Sequence, residues 1–185
     1  MRTLRFSKAE TRHTKQLVSL INSAYRGDSS RQGWTTEADL LDGRRTDSAE
    51  ILRLLGDTDS LIVLCEVETE LLGSVHLHKR GHDVHIGLLA VSPPLQQRGI
   101  GKQLLQAAEL RATQTWPVKR FVMSVIPQRQ ALIAFYERRG YKRTGICVPF
   151  PINPSLWTPK VPDLKLELLE KVLYSPCNPS YFPDN

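Results

Sequence analysis

Cysteine is scarce in this chain and poorly spaced for joint use. Cys65, Cys147 and Cys177 are odd in number, far apart, and form no CxxC pair. Such spacing suggests neither a zinc site nor a disulfide framework; it suits reduced thiols in a cytoplasmic protein. Long apolar runs are missing as well. Nothing approaches the roughly 18 consecutive apolar residues that span a bilayer, so no membrane partner is expected. Residues 1–6 have no long apolar stretch behind them and do not read as a secretory signal. There is no internal repeat and no low-complexity block. Positive charge is in excess, with a formal net charge of +6, yet it is dispersed into short clusters such as Arg138, Arg139, Lys142 and Arg143. No helix gathers basic side chains along one face, and no basic strand is interleaved with aromatics, which argues against nucleic acid as a partner. A phosphorylated small molecule is another polyanion that a basic surface attracts.

What is present fits one domain with an ordinary core: 185 residues, 41% hydrophobic and 24% charged. Residues 1–174 are expected to form that domain, and the Pro/Asn/Ser-rich residues 175–185 read as a flexible C-terminal tail. Residues 4–6 suit a short strand. Leu17, Leu20, Ile21 and Ala24 recur at helical spacing up to Gly27. Residues 27–45 read as a long polar loop, with Trp34 in its middle and a helical turn at 37–41. Asp47 and Glu50 have capping-box spacing ahead of Ile51, Leu54 and Leu55, predicting a second helix that ends at Gly56 and Asp57. The period then changes. Residues 61–67, 71–78 and 84–91 are rich in β-formers and predict an antiparallel meander, broken by Pro93 and Pro94. A third helix starts at Gly99 and closes before Pro117, a strand covers 121–126, and a fourth helix runs over 131–139 with Gly140 as its stop. Weak strands follow near 144–148 and 164–169, separated by a proline-rich loop over 149–162 that carries Trp157. This order predicts an α/β protein: a mixed sheet with helices on both faces.

Residues 88–105 carry the most specific signal. A strand and two prolines lead into Gln96-Gln97-Arg98-Gly99-Ile100-Gly101-Lys102 and then a helix. Glycines at such a junction let the backbone approach a ligand, and the free N–H groups of the helix start bind phosphate oxygens. Arg98 and Lys102 add positive charge. A P-loop would need Gly at Gln96 and Ser or Thr at Gln103; a dinucleotide fingerprint would need a third glycine at Leu104. Both are excluded.

The pattern Gln96-x-x-Gly99-x-Gly101 behind that strand resembles the acetyl-CoA motif of the GNAT superfamily of N-acetyltransferases. A second block, Gln128-x-x-Ala131-x-x-x-Phe135-Tyr136-x-x-x-Gly140-Tyr141, is similar to the family's Asn-x-x-Ala-x-x-x-Tyr/Phe-Tyr-x-x-x-Gly-Phe run, with Gln128 where Asn is common. The resemblance covers roughly residues 61–145 and the N-terminal helices in outline. It implies a GNAT-like fold, with a central, mostly antiparallel sheet and helices on both faces. It also implies an enzyme that moves the acetyl group of acetyl-CoA, as co-substrate, to an amine of an unidentified acceptor by direct attack. The alternative is an inactive acyl-CoA-binding sensor or regulatory module.

The same resemblance assigns roles. A strand that splays at a β-bulge would hold the pantetheine through the backbone of Leu89, Ala90 and Val91, with the Leu89 N–H facing the developing oxyanion. Gln96, Gln97, Arg98, Gly99, Ile100, Gly101 and Lys102 would hold the diphosphate, and Gln128 would meet the pantetheine arm. Tyr136, the second aromatic of its helix, would protonate the departing thiolate. His85 lies upstream on the bulged strand and suits a general base. Tyr25, Trp34 and Glu37 are the acceptor-site candidates; with Asp39, Asp42 and Trp157 nearby, carboxylates would favour a cationic amine. His76 and His78 share a strand face, but no third ligand has convincing spacing, so no metal is expected. Many members of the family it resembles dimerise through late strands, which leaves a homodimer open.

Overall fold

The structure, a computed structural model, describes residues 3–173; the tail expected at 175–185, and Cys177 within it, lie outside the described residues. Seven strands form one sheet: β1 (Arg5–Lys8), β3 (Ser60–Val67), β4 (Glu70–Arg80), β5 (Asp83–Val91), β6 (Arg120–Val125), β7 (Lys142–Pro149) and β9 (Lys165–Val172). Their order is β1-β3-β4-β5-β6-β9-β7. Every neighbouring pair is antiparallel except β5 and β6, which run parallel. Two further strands, β2 (Leu41–Gly43) and β8 (Trp157–Pro159), make a separate ribbon.

The helices are α1 (Thr14–Tyr25), α2 (Gly27–Ser30), α3 (Ser48–Gly56), α4 (Ile100–Thr115) and α5 (Gln130–Glu137). Helix α3 starts where its cap predicts, with the Asp47 carboxylate accepting from Glu50 N at 2.8 Å. Helices α1 and α3 lay Leu17, Ile21, Ile51 and Leu54 against Ile62, Leu64, Leu88 and Ala90. Helices α4 and α5 lay Leu104, Leu105, Ala108 and Ile133 against the opposite face, at Val63, Val75, Leu77 and Ile86. Alternation along β3 supplies both faces, and for that reason residues 61–65 form a continuous apolar run. Each Val, Leu or Ile among them, fully buried, contributes about 1.5–3 kcal/mol over leaving it exposed.

Strand β5 breaks its own alternation. Val84 and Ile86 join the core beneath α4, whereas Leu88 and Ala90, also even-numbered, join the core beneath α1. The register with β4 explains this. His76 lies opposite Gly87 and Ser74 opposite Ala90, so Leu88 and Leu89 share one partner position, Val75. Leu88 takes φ 48°. One extra residue is a β-bulge, and it swaps which face every later side chain meets. Pairing between β5 and β6 ends at the same place, with Ile86 opposite Met123. Beyond that pair β5 has no strand on its β6 side among the described residues, and the two strands part.

The expected meander and helices appear with ends moved by a few residues. Residues 27–45 and 149–162, however, are not plain loops. The turn at 37–41 is present, with Leu40 N and Leu41 N both donating to Glu37 O, but β2 follows it at once. Its partner β8 lies in the proline-rich segment. Both strands are three residues long, too short for an alternation pattern to register.

Candidate active site

Helix α4 begins without a side-chain cap. Its first flanking residue, Gly99, takes φ 81°, a left-handed conformation that costs an ordinary L-residue roughly 1–2 kcal/mol. The first helical hydrogen bond runs from Gln103 N to Gly99 O at 3.2 Å. The N–H groups of Ile100, Gly101 and Lys102 precede that ladder and have no acceptor within the helix. Together with the helix dipole they form a positive pole suited to phosphate oxygens. A cavity of about 530 Å³ opens there, lined by Val91, Gln97, Gly99, Gly101, Lys102 and Phe135 among others. Its charged lining residues are Lys102, Arg129, Arg138 and Arg139, with no carboxylate. A phosphorylated, partly apolar ligand fits these walls.

A second cavity, about 310 Å³, lies on the other side of the bulge. Tyr25, Leu89, Arg129, Leu132 and Tyr136 line both, so the two spaces meet at the parted ends of β5 and β6. Tyr136 is 6% exposed and packs edge-on against Phe135 and Tyr141, at ring separations of 5.2 and 5.9 Å. Its hydroxyl has no hydrogen-bond partner among the described residues. Burial, then the nearby Tyr25, raises its phenol above the ordinary value near 10, which keeps it protonated at neutral pH. The Tyr25 hydroxyl is engaged: it donates to Leu89 O at 3.0 Å. His85 lines the second cavity. Burial, then the charge of Arg80, lowers its imidazole below 6.5 and favours the neutral, proton-accepting form. His76 lines it too. Burial first, and His78 second, push it down to about 4, and its Nε2 lies 2.8 Å from Ser60 Oγ.

The segment between α2 and β2 is bolted down by two polar clamps. The Gln96 side chain accepts from Trp34 N at 2.9 Å and donates to Thr35 Oγ1 at 2.9 Å and Val91 O at 3.1 Å. A Cβ on Gly33 would come within 2.4 Å of the Gln96 amide, so glycine there permits the approach. The second clamp is buried. Glu37 accepts from Arg26 Nη1 and, at 2.6 Å, from Arg129 Nη1, while Arg129 Nη2 donates to Thr35 O.

These contacts revise several assignments. Glu37 holds its own chain's arginines with both oxygens and is not an open seat for an ammonium. Asp39 pairs with Arg31 at 2.7 Å and Asp42 with Lys160 at 3.0 Å. Trp34 lines the first cavity, not the second, with its ring 5.9 Å from that of Phe135. Gln128 is exposed and lines neither cavity; its neighbour Arg129 lines both. Ala90 and Ile100 turn their side chains into the core, so only their main chains are offered to a ligand. Arg98 is exposed and lines neither cavity. The structure does bring Leu89, Val91, Gln96, Gln97, Gly99, Gly101, Lys102, Tyr25 and Tyr136 to one continuous space. Sequence reasoning missed Arg129, which lines both cavities, Arg26 and Arg45, which line the second, and Arg139, which lines the first.

Among the described residues no group of three or more His, Cys, Asp or Glu could hold a metal ion; the His76 and His78 rings simply stack, 6.2 Å apart. No helix among them is long and apolar enough to cross a membrane.

Residues 16–141 match the model of the acetyltransferase (GNAT) family. No curated protein matches the chain. Solved structures do. The ribosomal-protein-S18-alanine N-acetyltransferase from Escherichia coli superposes with a TM-score of 0.70 at 13% identity, covering 97% of this chain and 100% of that one. A putative acetyltransferase from Acinetobacter baylyi ADP1 gives 0.69 at 16%, over 96% and 97%. The PaiA N-acetyltransferase from Thermoplasma acidophilum, solved in complex with coenzyme A, gives 0.63 at 17%, over 92% and 99%. At these identities the likeness is one of fold.

Proposed function

Because the chain belongs to the GNAT family of acetyltransferases, we propose that it transfers the acetyl group of acetyl-CoA to the nitrogen of an amine by direct attack, within one domain over residues 1–174. One observation carries this reading: the basic, carboxylate-free cavity at the start of α4 joins a second cavity at the bulge of β5, with Tyr136 on the wall of both. A thioester held from one side can there meet a nitrogen arriving from the other.

Acetyl-CoA supplies the activated acyl group as its thioester. The N–H groups at 99–102, with Lys102, Arg138 and Arg139, hold its phosphates. The Leu89 main chain lies where the carbonyl oxygen gains charge, and its N–H is the oxyanion donor. As the C–N bond forms and the C–S bond breaks, the amine's proton passes to His85 and the departing sulfur takes one from Tyr136. An alkyl ammonium near ~10.4 is mostly protonated at neutral pH, so a neutral imidazole in a half-buried site helps to prepare the nucleophile. A cytoplasmic location belongs to the same proposal and is supported by Cys65 and Cys147 being free thiols.

Two measurements test it. Acetyl-CoA raises the melting temperature by mass action, about 2.7 kcal/mol of stabilisation at 100 times Kd, and thiol release is seen with at least one member of an amine panel. No melting shift at millimolar acetyl-CoA and no thiol release from any amine would overturn the proposal.

A further inference from the structure

The second cavity has a charge balance that the acidic residues of the 27–45 segment do not suggest. Its lining holds four guanidiniums, on Arg26, Arg45, Arg80 and Arg129, and one carboxylate, on Glu37. That carboxylate is already shared by Arg26 and Arg129. The nearby acids are spent elsewhere: Asp83 pairs with Arg120 at 2.5 Å, and Asp57 lies 3.6 Å from the His78 ring. Neither lines the cavity.

Two of the arginines stand out. Arg26 has a side chain only 3% exposed, and its Nε and Nη2 are buried with no partner among the described residues. A buried guanidinium that lacks acceptors for two of its three nitrogens is costly unless a ligand completes it. Arg45 has no carboxylate partner among the described residues. Its guanidinium lies 5.6 Å from the ring centre of Tyr25 and 5.9 Å from that of Trp157. Its backbone is pinned, because the Asn22 side chain accepts from Arg45 N at 2.7 Å and from Thr46 N at 3.1 Å. A planar cation fixed between aromatic rings, its donors uncommitted, is built to receive a carboxylate in bidentate fashion.

Size and lining complete the picture. About 310 Å³ is at the small end of ligand pockets. Met123, Ile126, Leu132, Phe150 and Leu166 supply apolar wall for a side chain, beside the more polar His76, His78, His85 and Ser124. Gly87 borders the space, and a Cβ there would meet nothing within 4 Å.

We infer that the acceptor is a free amino acid with an apolar side chain, its carboxylate held by Arg45 and Arg26 while its amine faces Leu89 and Tyr136. This rests on the acetyl-transfer reading and narrows it. A polyamine is disfavoured, since each added ammonium would sit among uncompensated guanidiniums.

The test uses the full-length chain and matched acceptors: apolar amino acids such as leucine and phenylalanine, their amides, their decarboxylated amines, spermidine, and phosphoethanolamine. The expected result is a kcat/KM for an amino acid at least 30-fold above that of its amide and its decarboxylated amine, a threshold of the order of one charged bidentate contact. Arg45→Gln should cut that ratio at least tenfold by raising KM for the amino acid, with the melting shift from acetyl-CoA unchanged. Preference for spermidine or for decarboxylated amines overturns the inference. So does a preference for phosphoethanolamine, which would reassign the arginines to phosphate, and so does an Arg45→Gln effect equal for acids and amines. Calorimetric titration with the amino acids, with and without coenzyme A, separates the two levels. Failure of every amino acid to bind while acetyl-CoA still raises the melting point overturns the acceptor alone, whereas absence of the acetyl-CoA melting shift overturns the acetyl-transfer reading and the acceptor with it.

Discussion

Removing the Glu37 carboxylate tests the buried clamp between the two cavities. Glu37 is 6% exposed, and the side chains of Arg26 and Arg129 are 3% and 11% exposed. In Glu37→Ala two guanidiniums are left close together in a low-dielectric site with no counter-ion. Breaking a buried pair from one side costs about 3–5 kcal/mol, because the remaining charges stay buried and unpaired. For a chain of this size each kcal/mol shifts the melting point by about 2–4 °C, so the variant should melt roughly 6–20 °C lower. Glu37→Gln keeps one acceptor and the shape but not the charge, and should fall in the same direction by less. Thermal melts and urea titrations read this out; the urea midpoint drops while its slope stays constant. The acetyl-CoA melting shift should shrink as well, since Arg129 also holds Thr35 O and leads directly into α5, which carries Tyr136. A loss under about 1 kcal/mol would refute the reasoning. Unchanged stability with a raised KM for spermidine would do so more sharply, by making Glu37 the ammonium seat that its sequence context suggests.

Three further outcomes are expected. Gly101→Asp should abolish the acetyl-CoA melting shift by placing a carboxylate where phosphate binds, while Gly101→Ala, whose Cβ would meet Phe135 and Val91 at an ordinary 3.7 Å, stays folded; undiminished affinity in the aspartate variant would put the diphosphate elsewhere. Tyr136→Phe should lower kcat at least tenfold with little change in the KM for acetyl-CoA, the pattern of a proton donor acting in the transition state; an unchanged kcat removes Tyr136 from that role. His76 titrates near 6.5 unfolded and at about 4 folded, so the unfolded chain binds more protons in that window and stability falls as the pH drops from 6.5 towards 4, by at most about 3 kcal/mol; His76→Gln should flatten that part of the urea-midpoint profile, and an identical slope in both proteins would count against a buried neutral ring.

The parts of the site that are local in sequence could be read from it. Residues 99–102 are contiguous, and their free N–H groups follow from the glycine positions at a helix start, so the proposed phosphate cradle is readable from a short string. Phe135 and Tyr136 are adjacent on one short helix, so their placement follows once α5 is recognised. Strands β3, β4 and β5 announce themselves through β-formers and turns. The bulge at Leu88 and Leu89 does not, because nothing in Gly-Leu-Leu-Ala marks the residue that will be skipped. The family resemblance alone led to the expectation of a bulge on this strand; its position shows when Val84 and Ile86 are found in one core and Leu88 and Ala90 in the other. The ribbon of β2 and β8 is equally silent: its pairing joins residues 41–43 to 157–159, and three residues are too few for an alternation to register.

The acceptor side inverts these conditions. Its charge comes from Arg26 after α1, Arg45 before α3, Arg80 at the end of β4 and Arg129 before α5, four positions that only the closed fold places around one space. Along the chain the same region looks acidic, since Glu37, Asp39 and Asp42 fall within six residues. Folding cancels that appearance by pairing each acid with a cation of its own chain, and so reverses the sign a visiting ligand would meet. Local sequence records how many charges a segment carries; which of them remain unspent is decided by partners far along the chain, 92 residues away for Glu37 and Arg129. On the proposed reading, specificity for the coenzyme is written in adjacent residues and specificity for the acceptor in dispersed ones, so substitutions at Arg45 or Arg80 should change the acceptor while the cradle at 99–102 stays the same.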